Sequence, residues 1–355
     1  MLDIEGAVEA DWPDEGVAAH YGDPMREQRA MTEGQVLVDR SNRGVIKIVG
    51  PDRLTWLHSL TSQHLERLAP GTTAQALILS PQGHLEHHLT LTDDGTATWA
   101  HVEPHTVQEL VAYLNSMRFM TRVEVEDLSG DLVVQTLAGP LPAEGGFVSR
   151  TEAADSVVEP LLTDGIAAAV MHGPFGIDVI VKPETMRKLG ANVAGMWAFE
   201  AARIAGRVAR PGLDTDPRTL PHELGMIETA VHLNKGCYRG QETVARIHNL
   251  GHPPRRLIFL NLDGSVDRLP AHGSPLTLAD GTVVGFTGSA ARHFDLGPIG
   301  LGLIKRTVPV NAPLLADGIA AAQEVIVAPD AGANVRLTLR RSELPPPPPS
   351  GRKLL

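Results

Sequence analysis

Short apolar runs broken by Gly, Pro and Asp-Gly turns recur along this chain, with only a few amphipathic stretches between them. That pattern favours antiparallel sheets carrying helices on one face over a doubly wound parallel sheet. Residues 44–49 read as a strand ended by Gly50-Pro51-Asp52, and Pro51 suits the first turn of a helix. Leu54, Leu57, Leu65 and Leu68 recur at helical spacing, which predicts a helix or helix pair over 52–69. Strands are predicted at 76–79, 85–92 and 96–102, with Asp93-Asp94-Gly95 as a hairpin turn. Val107, Leu110, Val111 and Leu114 mark another helix, and 123–125 and 132–137 read as strands.

Residues 138–160, rich in Gly, Pro and acids, read as an exposed connection. A second α+β unit is expected beyond it, with strands at 167–171 and 177–181 and helical patterns at 183–189 and 193–205. Short β runs at 257–262, 275–278, 282–289, 300–303 and 325–327 have the spacing of a small antiparallel barrel. Residues 1–30 are polar and are expected to wrap the surface, and Pro345 to Pro349 should form a polyproline II spacer. The predicted fold is α+β in three lobes. An N-terminal extension (1–30) precedes a first α+β lobe (31–140) and a second (141–256), followed by a C-terminal β-barrel (257–330) and a Pro-rich tail (331–355).

With 43% hydrophobic and 21% charged residues, the 355-residue chain has a globular composition and is long for one core. A formal charge of -11 argues against a general nucleic-acid binder, whose phosphate contacts need a basic surface. One cysteine cannot form an internal disulfide, which fits a reducing cytoplasm. The first fifteen residues carry Asp3, Glu5, Glu9, Asp11, Asp14 and Glu15, the opposite of a basic targeting sequence. Nor does any uninterrupted apolar run reach the roughly 18 residues needed to span a bilayer.

That cysteine, Cys237, lies in Lys235-Gly236-Cys237-Tyr238-Arg239-Gly240-Gln241-Glu242. Two flanking glycines permit positive φ and predict a tight loop that presents the thiol, while Lys235 and Arg239 should favour its thiolate. A small buried hydrophobe is the other reading of a free cysteine. From His232 to Arg256 the bases Lys235, Arg239, Arg246, Arg255 and Arg256 face a single acid, Glu242, so the segment either attracts anions or is a solvated face. Cys237 and His248 lack the compact ligand spacing of zinc signatures, and no metal site is predicted. A second cluster, Gly83-His84-Leu85-Glu86-His87-His88, falls on a predicted strand, where alternation keeps three adjacent ligands from pointing one way.

Residues 235–242 resemble the signature of the YgfZ-type folate-binding proteins, which assist assembly or maintenance of iron-sulfur clusters. These are relatives of the glycine-cleavage T-protein, the tetrahydrofolate-dependent aminomethyltransferase. Thr219-Leu220-Pro221-His222-Glu223 and Gln241-Glu242-Thr243-Val244-Ala245-Arg246 extend the match. Val49-Gly50-Pro51-Asp52 with Leu57 and Leu60-Thr61 resembles the T-protein's first helix, and Pro298-Ile299-Gly300-Leu301-Gly302-Leu303 resembles a strand of its barrel.

The resemblance implies a folate-binding first lobe, two ferredoxin-like units and a central tetrahydrofolate pocket with Cys237 at its mouth. Gly173-Pro174-Phe175-Gly176-Ile177-Asp178-Val179 is similar to the element whose carboxylate contacts the pterin, with Asp178 where the family carries Glu. Because aspartate is shorter, either the ring sits deeper or a water bridges. Arg203 resembles the helix arginine near the folate, though it equally suits a structural ion pair. Lys235, Arg239 and Arg246 would hold the thiolate or the acidic folate tail, with Gln241 and Glu242 ordering the loop. Where T-proteins carry paired aspartates this chain has His87 and His88, so the parent aminomethyl transfer is not expected. The implied function is a tetrahydrofolate-dependent iron-sulfur cluster factor, with an iron-sulfur cluster or iron transiently at Cys237 and with iron-sulfur clients or carriers as partners. The alternatives are a folate-dependent one-carbon transferase and a non-catalytic folate-binding adaptor.

Overall fold

The computed structural model describes residues 1–139, 162, 165–185 and 192–332. A two-stranded ribbon of β1 (Val8–Glu9) and β2 (Ala18–His20) leads into α1 (Pro24–Glu33). Asp23 caps α1 by accepting from the Met25 and Arg26 N–H groups at 3.1 and 3.0 Å. This segment was expected to wrap the surface, but Val17, Ala18 and Ala19 are buried. Glu27 anchors it, accepting from the Tyr21 N–H at 2.7 Å and from the Gly195 N–H at 2.8 Å.

The first α+β unit is an antiparallel sheet in the order β5–β6–β7–β4–β8. Its strands are β4 (Gly44–Val49), β5 (Thr73–Leu79), β6 (Leu85–Asp93), β7 (Ala97–Val102) and β8 (Glu124–Asp127). The hairpin between β6 and β7 is the predicted one: the Asp94 carboxylate accepts from the Thr96 and Ala97 N–H groups, both at 2.7 Å. Helices α2 (Arg53–Leu60) and α3 (Val107–Ser116) cover one face, where Ile46, Leu57, Leu89, Leu110 and Leu114 are sealed from solvent. α2 is shorter than the predicted 52–69. The Ser62 hydroxyl draws the chain aside, donating to Ala230 O at 2.6 Å and accepting from the Leu77 N–H at 2.9 Å, and Leu65 reaches the core from a loop.

Strands β3 (Val36–Arg40), β9 (Val133–Ala138), β10 (Ala167–Gly173), β11 (Gly176–Val181) and β12 (Asn192–Ala194) form the second sheet, ordered β10–β11–β9–β3–β12. The sheets therefore cross the predicted lobe boundaries, because β3 and β9 come from the 31–140 segment. Residues of β3 point to both faces and are buried on both, Leu37 against one core and Val36 and Val38 against another. Helix α4 (Met196–Ala205) covers this sheet, whereas the helix predicted over 193–205 gives its first residues to β12. The exposed connection expected over 138–160 starts too early, because Ala138 ends β9 and is buried; its residues from 140 on, most of the pattern at 183–189 and the Pro-rich tail beyond 332 lie outside the described residues.

Past the short α5 (Ile227–Ala230) and α6 (Gln241–Leu250), six strands close into an antiparallel barrel. Around it run β13 (Arg255–Leu262), β16 (Gly297–Lys305), β15 (Val283–His293), β14 (Pro275–Thr277), β17 (Leu314–Ala316) and β18 (Ile319–Val325). Sequence reading missed β17 and began β18 too late, although Asp317-Gly318 between them, at φ 50 and 78, is a hairpin turn signal. Among the described residues, no helix is long and apolar enough to cross a membrane.

Candidate functional site

A central cavity of about 80 Å³ lies where the two sheets and α4 meet. Gln75 from β5, His88 and Thr90 from β6, His101 from β7, Asp178 from β11 and Glu200 from α4 help wall it. Period-two alternation on β6 sends His88 and Thr90 towards the cavity and His87 to the opposite face.

Charge dominates the wall. Asp178 Oδ1 accepts from Arg40 at 3.1 Å and from the Thr136 hydroxyl at 2.5 Å. Its Oδ2 accepts from His101 Nε2 at 3.0 Å, and Arg43 Nε donates to His101 Nδ1 at 2.9 Å. With Nδ1 facing a guanidinium N–H, the His101 proton must sit on Nε2 and the ring is neutral. Burial, then Arg43, lowers its pKa to about 4. The chain of contacts continues from Arg43 to Glu103 at 2.6 Å, and Arg210 Nε also donates to Glu103, at 2.8 Å. Arg210 grips Asp14 through two bonds of 2.8 Å. Burial alone would raise the Asp178 carboxyl, but Arg40, His101 and Thr136 hold it well below the usual carboxylate range.

This network revises two expectations. Asp178 lines the cavity, but three of a carboxylate's roughly four acceptor positions are occupied. It keeps no free pair for a bidentate contact with a pterin edge. Arg203 is buried and spends its donors on Glu200, Asp214, Val208 O and the Ser289 hydroxyl. It also lines the central cavity, and these bonds fit the structural ion pair that its sequence context allowed. Two other wall atoms do lack a protein partner: the shielded His88 Nε2 and Asn42 Oδ1. Burial lowers the His88 pKa to about 4, leaving the ring neutral at ordinary pH.

A larger cavity of about 460 Å³ opens outward and shares Asp14, Met196 and Glu200 with the central one. Trp12 and Trp197 lie in its wall, each 53% exposed, with Arg292 and His272 from the barrel side. Sequence reading missed it because its wall joins the N-terminal segment, α4 and the barrel.

The cysteine loop is a separate feature. Cys237 is exposed, and no residue of 235–242 lines either cavity. Lys235 does not face the thiol: its ammonium donates to His58 O and Thr61 O at the end of α2 and lies 4.9 Å from the buried Tyr238 ring. Burial lowers its pKa to about 8. Arg239 makes a two-pronged pair with Glu86, at 2.9 and 3.1 Å. Gly240 has φ 82 and a Cβ there would meet Ser80 O at 2.6 Å, so glycine is required. Gly236 has no positive φ, and nothing lies within 4 Å of its Cβ position. The Gln241 N–H closes the turn onto Tyr238 O at 3.2 Å, and Glu242 in the first turn of α6 suits the helix dipole. Arg246 is exposed on α6, away from both cavities.

Two stretches singled out in the sequence do meet. Gly83 stands against Gly240 and Thr243, and Glu86 holds Arg239, so the loop rests on the start of β6. His88 lies two residues further along, a rise of about 7 Å.

Residues 18–144 match the GCVT N-terminal domain. A putative chloroplastic transferase of Arabidopsis thaliana is 28% identical over 319 residues, 82% of this chain and 70% of that protein. A mitochondrial iron-sulfur cluster assembly factor IBA57 homolog of Mycosarcoma maydis is 26% identical over 236 residues, 62% of this chain and 55% of that protein. Among solved structures, glycine cleavage system aminomethyltransferase T from Bartonella henselae shares the fold at a TM-score of 0.71, with 17% identity, over 90% of this chain and 93% of that one. The chain is thus similar to the GCVT N-terminal domain over residues 18–144, and its two α+β units and closed barrel share the fold of that aminomethyltransferase.

Proposed function

We propose that the chain binds tetrahydrofolate at the two adjacent cavities and serves the assembly or maintenance of iron-sulfur clusters, with Cys237 as its working thiol. The observation that carries this reading is that β6 walls the central cavity with His88 and, at its start, seats the exposed Cys237 loop through Gly83 and Glu86. The similarity to an iron-sulfur cluster assembly factor homolog supports it.

The residues present fit a folate in a specific way. A cavity of about 80 Å³ admits only the edge of a pterin, whereas about 460 Å³ lies within the roughly 300–1,000 Å³ of small-molecule sites. Trp12 and Trp197 offer faces for a flat aromatic body. Asn42 Oδ1 and neutral His88 Nε2 are free to accept from the N–H and amino groups of a pterin edge, the role expected of Asp178. At the outer rim Arg292, already paired with Asp267 at 2.8 Å, is the base available to an acidic tail. When bound, tetrahydrofolate supplies a carrier for a one-carbon unit. The protein orients it, and neutral His88 brings no fixed negative charge to hold a cationic aminomethyl substrate. This argues against the parent transferase activity. A reducing cytoplasm, which keeps the lone thiol free, belongs to the same reading.

Complementation tests the thiol. In a deletion strain, the parent chain is expected to restore iron-sulfur enzyme activities, and Cys237→Ser to leave them near the deletion level while folding normally. Full restoration by Cys237→Ser would reduce the protein to a folate-binding adaptor.

A further inference from the structure

Three imidazoles and a carboxylate gather at the foot of the Cys237 loop. One ligand atom from each of His58, His64 and Glu66 lies within 4.8 Å of the others. The His58 and His64 rings are 4.7 Å apart at 82°, and the His64 and His232 rings 5.2 Å apart at 49°. Neither His58 nor His64 is deeply buried, and Glu66 and His232 are exposed, so all four side chains can adjust.

The backbone holds these positions in register. The His232 N–H donates to Ser62 O at 2.9 Å, which ties the loop to the turn after α2. The Lys235 N–H donates to His232 O at 3.4 Å, and the Lys235 ammonium to His58 O. Glu66 supplies the negative charge that a cation here needs beside that ammonium.

We propose that His58, His64, Glu66 and His232 bind a first-row divalent transition-metal ion, with His232 delivered by the same loop that displays Cys237. Three imidazoles and one carboxylate are a donor set suited to zinc or ferrous iron. Bonds of about 2.0 Å require donor atoms roughly 3.3 Å apart, so His58, His64 and Glu66 close by modest rotations, and the exposed His232, its ring 5.2 Å from that of His64, swings in to complete the shell. His58 Nδ1 accepts a long 3.3 Å contact from the Leu65 N–H, and ligation through either ring nitrogen gives that contact up. An ion bound here pins His232 to the turn after α2 and fixes the base of the cysteine loop. The site uses neither cavity and not the thiol, so it stands or falls independently of folate binding.

The test is titration of the tag-free, chelator-stripped full chain with Co²⁺, followed by its visible bands, and with Zn²⁺ in competition with a chromophoric chelator. One equivalent is expected to bind the parent, and Cys237→Ala to bind equally well. His64→Ala should weaken binding about 100-fold, and Glu66→Gln, an exposed change that cannot unfold the core, about 10-fold. Thermal melting of each variant establishes that it is folded. Absence of stoichiometric binding by the parent would overturn the proposal. So would binding that Cys237→Ala abolishes while His64→Ala and Glu66→Gln retain it.

Discussion

Two glycines flank Cys237 and only one of them is structurally required. A Cβ at Gly240, where φ is 82, would meet Ser80 O at 2.6 Å and Gly83 Cα at 2.9 Å, while Gly236 borders open space without a positive φ. Gly240→Ala should therefore cost about 2–3 kcal/mol, from strain plus a clash with backbone that cannot yield, and Gly236→Ala less than about 1 kcal/mol. Urea denaturation of the two variants checks this, and equal losses would contradict it. Sequence reading proposed both glycines for the same reason, since φ depends on what the loop packs against. Similarly, Lys235 and Arg239 were legible as cations beside a thiol. The carbonyls and the carboxylate that engage them come from α2 and β6, distant in sequence.

At the scale of elements, β6 and the end of α2 carry the site. The strand was visible as an alternating run with a hairpin signal, and its His88 was legible as the residue replacing an acid. Less legible was the length of α2, because Leu65 and Leu68 keep helical spacing after the helix has stopped. A tertiary cap helps end it: the Lys235 ammonium takes the carbonyls of His58 and Thr61. Lys235→Met removes both bonds and leaves the buried Thr61 carbonyl without its donor, an expected loss of about 1–3 kcal/mol. Thermal melting measures it, and an unchanged midpoint would show that the cap contributes nothing. The buried chain from Arg40 through Asp178, His101, Arg43, Glu103 and Arg210 to Asp14 left no local signal, since its members come from separate elements.

The whole molecule should be sensitive to acid for a stated reason. Burial lowers the pKa values of His88, His101 and His222 to about 4, against an ordinary value near 6.5. The unfolded chain then binds more protons than the folded one between pH 6.5 and 4. Stability is fully present above that window and is lost as pH falls through it, by up to about 1.4 kcal/mol per pH unit for each histidine. His222, buried with neither ring nitrogen hydrogen-bonded, is the cleanest probe. His222→Phe should lower the slope of stability against pH by about one proton, and an unchanged slope would rule that residue out. Overall architecture was the most legible level, since barrel and hairpins follow from turn chemistry. The outer cavity was hidden, because its wall is assembled from three distant parts of the chain.

Calorimetric titration with tetrahydrofolate tests the folate reading most directly when parent, His88→Ala, Trp197→Ala and Arg246→Ala are compared. One site is expected in the parent, affinity about tenfold weaker in the His88 and Trp197 variants, and Arg246→Ala indistinguishable from the parent. No binding by the parent, or equal binding by all four proteins, would contradict the account.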